Sequence, residues 1–155
     1  MVHKDDDWFM SMALKEASKA YALQEIPIGA VVVSADGRIL GRAYNTTEKD
    51  CTQRSHAEIK ALAKAGKKMR DWRLDGCTLY VTVQPCCMCM GLICLSRIER
   101  LVYGAQSPLF GYVLGKEAMP DLYQKHIKGI QSGVKAHEAA VLIKNFFKER
   151  RKEGE

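Results

Sequence analysis

Nowhere in the 155 residues does an apolar run approach the roughly 18 residues that a membrane-spanning helix needs, so we expect a soluble chain with no membrane partner. The opening MVHKDDDW also lacks the apolar segment of a secretory signal, which favours a cytoplasmic location and reduced thiols for the six cysteines. Internal repeats, low-complexity segments and long linkers are absent as well. With 47% hydrophobic residues, the chain is predicted to form a single domain over residues 1–155.

Positive charge is in excess and is unevenly distributed. The formal net charge is +6, and basic residues cluster over 64–73 and again over 144–152. Basic patches attract polyanions such as nucleic acids, but basic side chains also simply solvate the outer faces of helices. The charge pattern alone therefore leaves both interpretations open.

The spacing of apolar residues predicts three longer helices. Apolar or small residues recur every three to four positions over 7–24, 56–65 and 136–151. Gly66 is predicted to stop the second helix, and the third is predicted to be a basic closing helix that buries Phe146 and Phe147. Prolines and glycines interrupt residues 106–125, which are predicted to be mainly loop with one short helix.

The remaining pattern predicts a sheet. GAVVVS and RILGRAYN flank the turn-forming pair Asp36-Gly37, which indicates an antiparallel hairpin. CTLYVTV (77–83) reads as a strand buried on both faces, as in a parallel or mixed sheet covered by helices. A helix over about 87–96 and the strand RLVYGA (100–105) then complete a right-handed β-α-β unit.

Three cysteines fall within four positions of VQPCCMCM (83–90), at a predicted helix start. In a first helical turn, residues three apart share a face, so Cys86 and Cys89 form a pair and Cys87 points elsewhere. Cys87 is predicted to pack as a small buried hydrophobe. The same role is predicted for Cys77 and Cys94, whereas Cys51 is expected to face solvent or to pack in a polar loop. A C-x-x-C pair alone also leaves redox catalysis open.

A second helix start, Ser55-His56-Ala57-Glu58, is expected to meet the first. In open α/β sheets, ligands gather at the carboxyl ends of strands, where both segments are predicted to lie. His56 would add a third soft ligand, and three ligands leave one position open on a tetrahedral zinc ion for water. Glu58 would then carry protons. The alternative for Glu58 is a capping box with Ser55, in which the carboxylate only satisfies a backbone amide.

H-A-E followed by P-C-x-x-C matches the zinc deaminase pattern H-x-E…P-C-x-x-C. The chain resembles the cytidine deaminase superfamily, and more closely the bacterial tRNA-specific adenosine deaminases, over nearly its whole length. The resembling segments are PIGAVVV (27–33), Asn45, HAEIKAL (56–62), WRLDGCTLYVTVQPCCMCMG (72–91), SRIERLVYGA (96–105) and GVKAHEAAVLIKNFFKERR (133–151). The closing helix with paired phenylalanines and arginines is typical of the RNA-editing branch.

This resemblance implies a three-layer α/β/α sandwich with a mixed central sheet, commonly a homodimer. It implies one zinc ion per subunit, with His56, Cys86 and Cys89 as ligands and Glu58 as the proton shuttle. The implied reaction converts adenosine to inosine at the wobble position of a tRNA anticodon stem-loop. The implied substrate-binding residues are Asn45, Ile28, Ala57 and Pro85, and the implied RNA-binding residues are Lys144, Lys148, Arg150 and Arg151.

The sequence departs from that family in three places. Gln84 stands where the family generally has glutamate, and Cys87 replaces a residue that is usually aliphatic. The segment 105–117 differs from the family's usual RNA-holding loop, with Ser107 at roughly the place of an aspartate. In this segment Phe110 and Tyr112 would stack on bases or pack against the domain.

Two other functions remain open at this point. A deaminase of a free base or nucleoside, such as guanine, cytosine or cytidine, would keep the whole metal site and use the basic tail only as a solvated helix. A non-catalytic RNA-binding module with a structural zinc ion would need a fourth protein ligand, from Cys51, Cys87 or Cys94.

Overall fold

The computed structural model describes residues 4–114 and 119–154. Its strands are β1 (Gly29–Val33), β2 (Ile39–Tyr44), β3 (Thr78–Val83), β4 (Arg100–Ala105) and β5 (Gly129–Gln131). They form a five-stranded sheet in the order β2-β1-β3-β4-β5. The helices are α1 (Asp6–Ala22), α2 (Thr47–Asp50), α3 (Ala57–Met69), α4 (Cys87–Leu95), α5 (Asp121–Gln124) and α6 (Ala136–Glu153), with a 3-10 turn at Gln53–Ser55.

The pairing of the strands confirms both predicted strand units. β1 runs antiparallel to β2 and to β3, so the hairpin around Asp36-Gly37 is present. Gly37 has a φ of 86°, which glycine adopts without steric cost. β3 and β4 run parallel and are connected through α4, so the β-α-β unit is present as well. β5 continues the parallel half of this mixed sheet.

Helices cover both faces of the sheet. Alternate residues of a strand point to opposite faces, and here each face meets its own helices. Val31, Tyr80 and Val102 pack with the apolar side of α1 on one face. Val32, Leu79 and Leu101 pack with α3 and α4 on the other face. The predicted three-layer α/β/α sandwich with a mixed central sheet is therefore confirmed.

Two glycines allow the helices to lie directly on the hairpin. A Cβ atom on Gly29 would stand 2.0 Å from the carbonyl oxygen of Ala13 in α1. On the opposite face, a Cβ atom on Gly41 would stand 2.5 Å from the carbonyl oxygen of Ala61 in α3. Both obstacles are backbone atoms, which cannot yield as the end of a flexible side chain can. The hairpin is therefore held between two helices at backbone contact.

We expect Gly29→Ala to lower the free energy of unfolding by about 3 kcal/mol, because the new methyl group overpacks β1 against α1. Gly66→Ala is the matched control, since the same methyl group inside α3 would find its nearest atom 3.5 Å away. Alanine is favoured over glycine in a helix interior by about 0.5–1 kcal/mol, so the control should gain stability. Denaturant unfolding measures both variants, and equal stabilities would contradict the close packing at Gly29.

Three expectations about the secondary structure are wrong or incomplete. Gly66 does not stop α3, which continues to Met69 and ends where Arg70 adopts a left-handed backbone with φ of 55°. β5 was not predicted, because a three-residue, mostly exposed strand has no apolar pattern to show. Phe147 is 42% exposed, whereas Phe146 is buried as predicted. Adjacent residues on a helix point about 100° apart, and α6 turns only one stripe towards the domain.

The predicted loop region 106–125 contains the short helix α5, and its residues 115–118 lie outside the described residues. Across residues 4–114 and 119–154, no helix combines the length and the apolar character that crossing a membrane requires.

Candidate active site

His56 and Cys86 stand at two helix starts that meet at one edge of the sheet. His56 directly precedes α3, and Cys86 directly precedes α4, three residues after the end of β3 at Val83. Both residues have extended backbone that turns into helix at the next position. The predicted meeting of the two segments is confirmed, because their side chains contact each other.

The three ligand atoms offered by His56, Cys86 and Cys89 lie within 4.8 Å of one another. The Nδ1 atom of His56 is 3.4 Å from Sγ of Cys89 and 3.8 Å from Sγ of Cys86. The other ring nitrogen, Nε2, lies 2.9 Å from Oε1 of Gln53. Because a side-chain amide oxygen only accepts, Nε2 carries a hydrogen, and Nδ1 is the ring nitrogen that faces the two thiols. Gln53 thus orients the imidazole, a role that its sequence position did not reveal.

The donor set and its spacing fit a zinc ion. Tetrahedral zinc, with bonds of about 2.0 Å to nitrogen and about 2.3 Å to sulfur, holds such atoms about 3.5–3.8 Å apart. The nitrogen-to-sulfur distances of 3.4 and 3.8 Å match that spacing without rearrangement. One imidazole and two thiolates are also the soft ligands that zinc prefers. The cluster is therefore compatible with a zinc site that has three protein ligands.

The electrostatics of the two thiols are coupled. Hydrogen bonding with Cys89 and with His56 lowers the pKa of the Cys86 thiol to about 4. The pKa of Cys89 is raised, first by its hydrogen bond with Cys86 and then by burial. The lowered pKa of Cys86 favours its thiolate, the form of cysteine that binds a metal ion.

Glu58 is buried beside this cluster, in the first turn of α3. Burial raises the pKa of its carboxyl group, while hydrogen bonding with Cys89 and the charge of His56 oppose that rise. The capping-box alternative is wrong, because His56 rather than Ser55 is the N-cap residue of α3. The Ser55 hydroxyl instead donates to Asp50, at 2.7 Å.

The other cysteines do not join the ligand cluster in the described part of the chain. Cys77 and Cys94 are buried, as predicted, and Cys51 is exposed. The prediction that Cys87 packs as a buried hydrophobe is wrong, because its side chain is exposed. α4 turns Cys89, Met90 and Ile93 inward, so the first helical position faces solvent. The cluster nevertheless contains Cys86 and Cys89 and not Cys87, as the predicted pairing of the cysteines requires.

The residues that the resemblance assigns to the substrate pocket are all buried or partly buried, and two of them adjoin the cluster in the chain. Ala57 and Pro85 are buried next to the ligands in the chain, and Ile28 is partly buried against the core. Asn45 is buried, and its amide donates to the carbonyl of Ile26 and accepts from the amide of Thr47, both at 3.3 Å. The backbone amide of Asn45 also donates to the carbonyl of Ile28.

A polar cluster that the sequence did not reveal holds the segment between Asn45 and His56. The buried Glu25 carboxylate accepts from the backbone amides of Glu48 and Lys49, at 3.2 and 2.7 Å. Asp50 accepts from the hydroxyl groups of Thr46 and Ser55, at 2.6 and 2.7 Å. Because Thr46 follows Asn45 and Ser55 precedes His56, this cluster fixes one residue of the candidate pocket relative to one ligand.

The divergent loop lies against the helix start that carries Cys86. Gly111 pairs with Cys86 as an isolated antiparallel bridge, and the amide of Tyr112 donates to the carbonyl of Pro85 at 2.9 Å. Tyr112 is only 5% exposed, so of its two predicted roles the structure supports packing against the domain. Phe110 is 76% exposed, which leaves its ring accessible.

The basic residues of α6 are exposed. Those that the resemblance assigns to RNA binding are Lys144, Lys148, Arg150 and Arg151. α6 starts next to the carboxyl end of β4, where Gly133 donates to the carbonyl of Gly104. Further along, the ring of Phe146 lies 6.2 Å from that of Tyr21 in the last turn of α1. The Arg150 guanidinium lies 5.9 Å from the Phe146 ring centroid.

Comparison with known proteins gives consistent matches. A family model described as MafB19-like deaminase matches residues 4–151. The tRNA-specific adenosine deaminase of Bacillus subtilis (strain 168) is 40% identical over 151 residues, which cover 95% of this chain and 91% of that protein. The tRNA(Ile)-lysidine synthase of Deinococcus deserti is 39% identical over 145 residues, which cover 94% of this chain and only 27% of that longer protein.

A solved structure gives the same result in three dimensions. It comes from work on A-to-I editing by tRNA:A34 deaminases at the wobble position of transfer RNA. It is 39% identical, with a TM-score of 0.79, and the match covers 86% of this chain and 97% of that chain. The site, the fold and these matches agree, and the chain belongs to the MafB19-like deaminases and to the family of the tRNA-specific adenosine deaminases.

Proposed function

We propose that this chain catalyses the hydrolytic deamination of adenosine to inosine at the wobble position of a tRNA anticodon loop. We further propose one zinc ion per subunit, held by His56, Cys86 and Cys89. The observation that carries the proposal is the set of three ligand atoms within 4.8 Å of one another, beside the buried Glu58 carboxylate. The substrate is supported by the near-full-length relative, which is a tRNA-specific adenosine deaminase.

A zinc ion with three protein ligands supplies a Lewis acid at which water becomes nucleophilic near neutral pH. The Glu58 carboxylate takes a proton from the attacking water and gives it to the purine ring. It then moves a second proton from the added hydroxyl group to the amine, which leaves as ammonia. The place of Glu58 in the first turn of α3, buried beside the ligand cluster, suits a group that must accept and donate protons in the same cycle.

Asn45, Ile28, Ala57 and Pro85 form the proposed walls of the purine pocket. The two hydrogen bonds of the Asn45 amide are 3.3 Å long, at the weak end of the normal range. A purine edge that offers a better donor and acceptor can replace them. Ile28 and Pro85 present apolar surface against the base, and Ala57 leaves room beside the ligand His56.

Ammonia release by the zinc-loaded protein tests the proposed function. The substrates to compare are an anticodon stem-loop with a wobble adenosine, the same stem-loop with guanosine at that position, and free adenosine, cytidine and guanine. We expect release only from the adenosine stem-loop, with inosine at the wobble position. Release from a free base or nucleoside alone would keep the metal chemistry and assign the chain to the other class of deaminase.

The basic residues of α6 are proposed to hold phosphates of the anticodon stem-loop. α6 extends from the carboxyl end of β4 to the last turn of α1, which leads into β1. The first residue of β1, Gly29, donates to Thr82 near the carboxyl end of β3. This path keeps α6 near the edge of the sheet from which Cys86 follows, so one RNA loop can contact both.

We expect the double variant Lys148→Ala/Arg151→Ala to bind the stem-loop more weakly and with less dependence on salt. Each lost phosphate contact should reduce the slope of log affinity against log salt by roughly 0.7–0.9. The control is Lys15→Ala/Arg38→Ala, which removes the same charge from exposed positions on α1 and beside the hairpin turn. Equal slopes for the two double variants would show that α6 contributes only general charge.

A non-catalytic module with a closed zinc site is not supported, because the cluster found among the described residues has three ligand side chains rather than four. A homodimer, a cytoplasmic location and a single domain over residues 1–155 stay predictions. Sedimentation of the purified protein tests the first of these.

A further inference from the structure

Gln84, the residue between β3 and Pro85, joins the divergent loop to the site through both ends of its amide group. Its Oε1 atom accepts from the backbone amide of Ser107, at 3.1 Å. Its Nε2 atom donates to the backbone carbonyl of Tyr112, at 3.3 Å. Only an amide side chain supplies one acceptor and one donor in this way, because an ionised carboxylate has no hydrogen to donate.

The segment between these two contacts, residues 107–112, is here called the docked loop. It is closed on itself by a hydrogen bond of 2.8 Å from the Gly111 amide to the Ser107 carbonyl. A Cβ atom on Gly111 would lie 2.2 Å from Oε1 of Gln84 and 2.6 Å from the Ser107 carbonyl oxygen. The loop therefore needs glycine at position 111 to lie this close to Gln84.

The docked loop exposes apolar side chains close in the chain to Gly111, its point of contact with Cys86. Leu109 is 87% exposed and Phe110 is 76% exposed. Phe110 precedes Gly111, which pairs across the backbone of the ligand residue Cys86. An exposed aromatic ring thus stands one residue along the chain from the bridge to Cys86, on a loop fixed by backbone and amide hydrogen bonds.

We propose that Gln84 is a positioning residue that fixes the docked loop so that Phe110 stacks on the nucleobase next to the reacting adenosine. This inference rests on the proposed function, because it requires an RNA strand in which neighbouring bases are unstacked. Single-stranded loops present such bases, and proteins recognise them by stacking on exposed aromatic rings. A free nucleoside has no neighbouring base and would gain nothing from Phe110.

Gln84 and the loop that it holds are also two of the places where this sequence departs from its family. Glutamate at position 84 would still accept from the Ser107 amide, but it would place a carboxylate oxygen against the carbonyl of Tyr112. The glutamine and the divergent loop therefore belong together in this chain. Ser107 contributes through its backbone amide, so the loss of an aspartate at that place does not undo the contact.

The test uses the full zinc-loaded protein with Phe110→Ala and Gln84→Glu. Stacking on one base predicts a roughly 5- to 100-fold rise in KM for the stem-loop in Phe110→Ala, with little change in kcat. Gln84→Glu should raise KM in the same way, and the double variant should be no worse than the weaker-binding single variant, because both act through one contact. The controls are Gln106→Glu, which makes the same charge change at an exposed neighbour, and Leu122→Ala, which removes an exposed apolar side chain from α5.

A stem-loop with 2-aminopurine next to the wobble position gives a readout that does not depend on turnover. Stacking on Phe110 should quench its fluorescence in the wild type and in both controls, but not in Phe110→Ala. Normal turnover by the wild type, together with unchanged KM and quenching in Phe110→Ala or Gln84→Glu, would overturn the inference alone. Failure of the wild type to deaminate the stem-loop would instead overturn the proposed function.

Discussion

Glu58→Ala is expected to abolish measurable deamination while leaving zinc content and stem-loop binding unchanged. The buried carboxylate is the proposed proton carrier, and positioned proton transfer contributes roughly 10²–10⁴-fold to a rate. Two proton movements pass through this one group, so its removal should cost at least that factor in kcat. Single-turnover deamination of the stem-loop under zinc saturation measures the loss, and zinc per chain is measured on the same sample.

Two further variants show whether a loss of turnover comes from the missing proton carrier or from a less stable fold. Glu58→Gln keeps the volume and polarity of the side chain but cannot carry a proton, so it should be as inactive as the alanine variant. Glu16→Ala removes another buried glutamate, which lies in α1 and pairs with Lys19 away from the ligand cluster. Glu16→Ala should lose stability but keep its kcat. A folded Glu58→Gln protein with normal turnover would refute the proton-shuttle role.

Two cysteine variants in the same helix, Cys89→Ala and Cys87→Ala, are expected to differ sharply in how much zinc they retain. Cys89→Ala should lose nearly all bound zinc and all deamination, because it removes a buried ligand from a site that has three. Cys87→Ala should keep one zinc ion per chain and near-normal activity, because its side chain faces solvent. The two residues lie two positions apart in one helix, so each variant controls for the other. Zinc released to a chromogenic chelator after unfolding gives the stoichiometry.

If Cys87→Ala lost its zinc, the ligand pair would be Cys86 and Cys87 or Cys87 and Cys89, and the assignment made from helix geometry would fall. A Cys89→Ala protein that kept its zinc would lead to the same conclusion. Cys94→Ala, which removes a buried thiol from the same helix without touching the cluster, is expected to keep its zinc with some loss of stability.

The sequence predicts the cluster of His56, Cys86 and Cys89 because the spacing of the cysteines determines which of them share a helical face. Residues three apart lie on the same face, so the sequence alone pairs Cys86 with Cys89. The same reasoning predicted the wrong burial for Cys87. The spacing shows that its side chain points away from the pair, but it does not show whether other residues pack against that side chain. Whether a residue is buried depends on tertiary packing, which a local pattern does not contain.

Gln53, Glu25 and Gln84 show why the supporting residues were missed or undervalued. Glu25 and Gln84 act by hydrogen bonds to segments more than twenty positions away, which only the whole fold brings near them. Gln53 bonds to His56 three positions along the chain, but polar residues in loops have many ordinary roles. Gln84 departs from the family pattern in the sequence, but its two partners lie more than twenty positions away, so the local sequence does not show what the departure does.

The hairpin turn at Asp36-Gly37 is a position at which a second protein domain can be inserted into the chain. β1 runs antiparallel to β3, so its last residue, Val33, pairs with Thr78 at the start of β3, whereas Cys86 follows the end of that strand. The turn therefore projects from the end of the sheet opposite the ligand cluster. Asp36 is exposed, and a Cβ atom on Gly37 would meet nothing within 4 Å. Exposed turns of this kind tolerate insertions, so a tethering domain placed there should leave the approach of RNA to the opposite edge unobstructed.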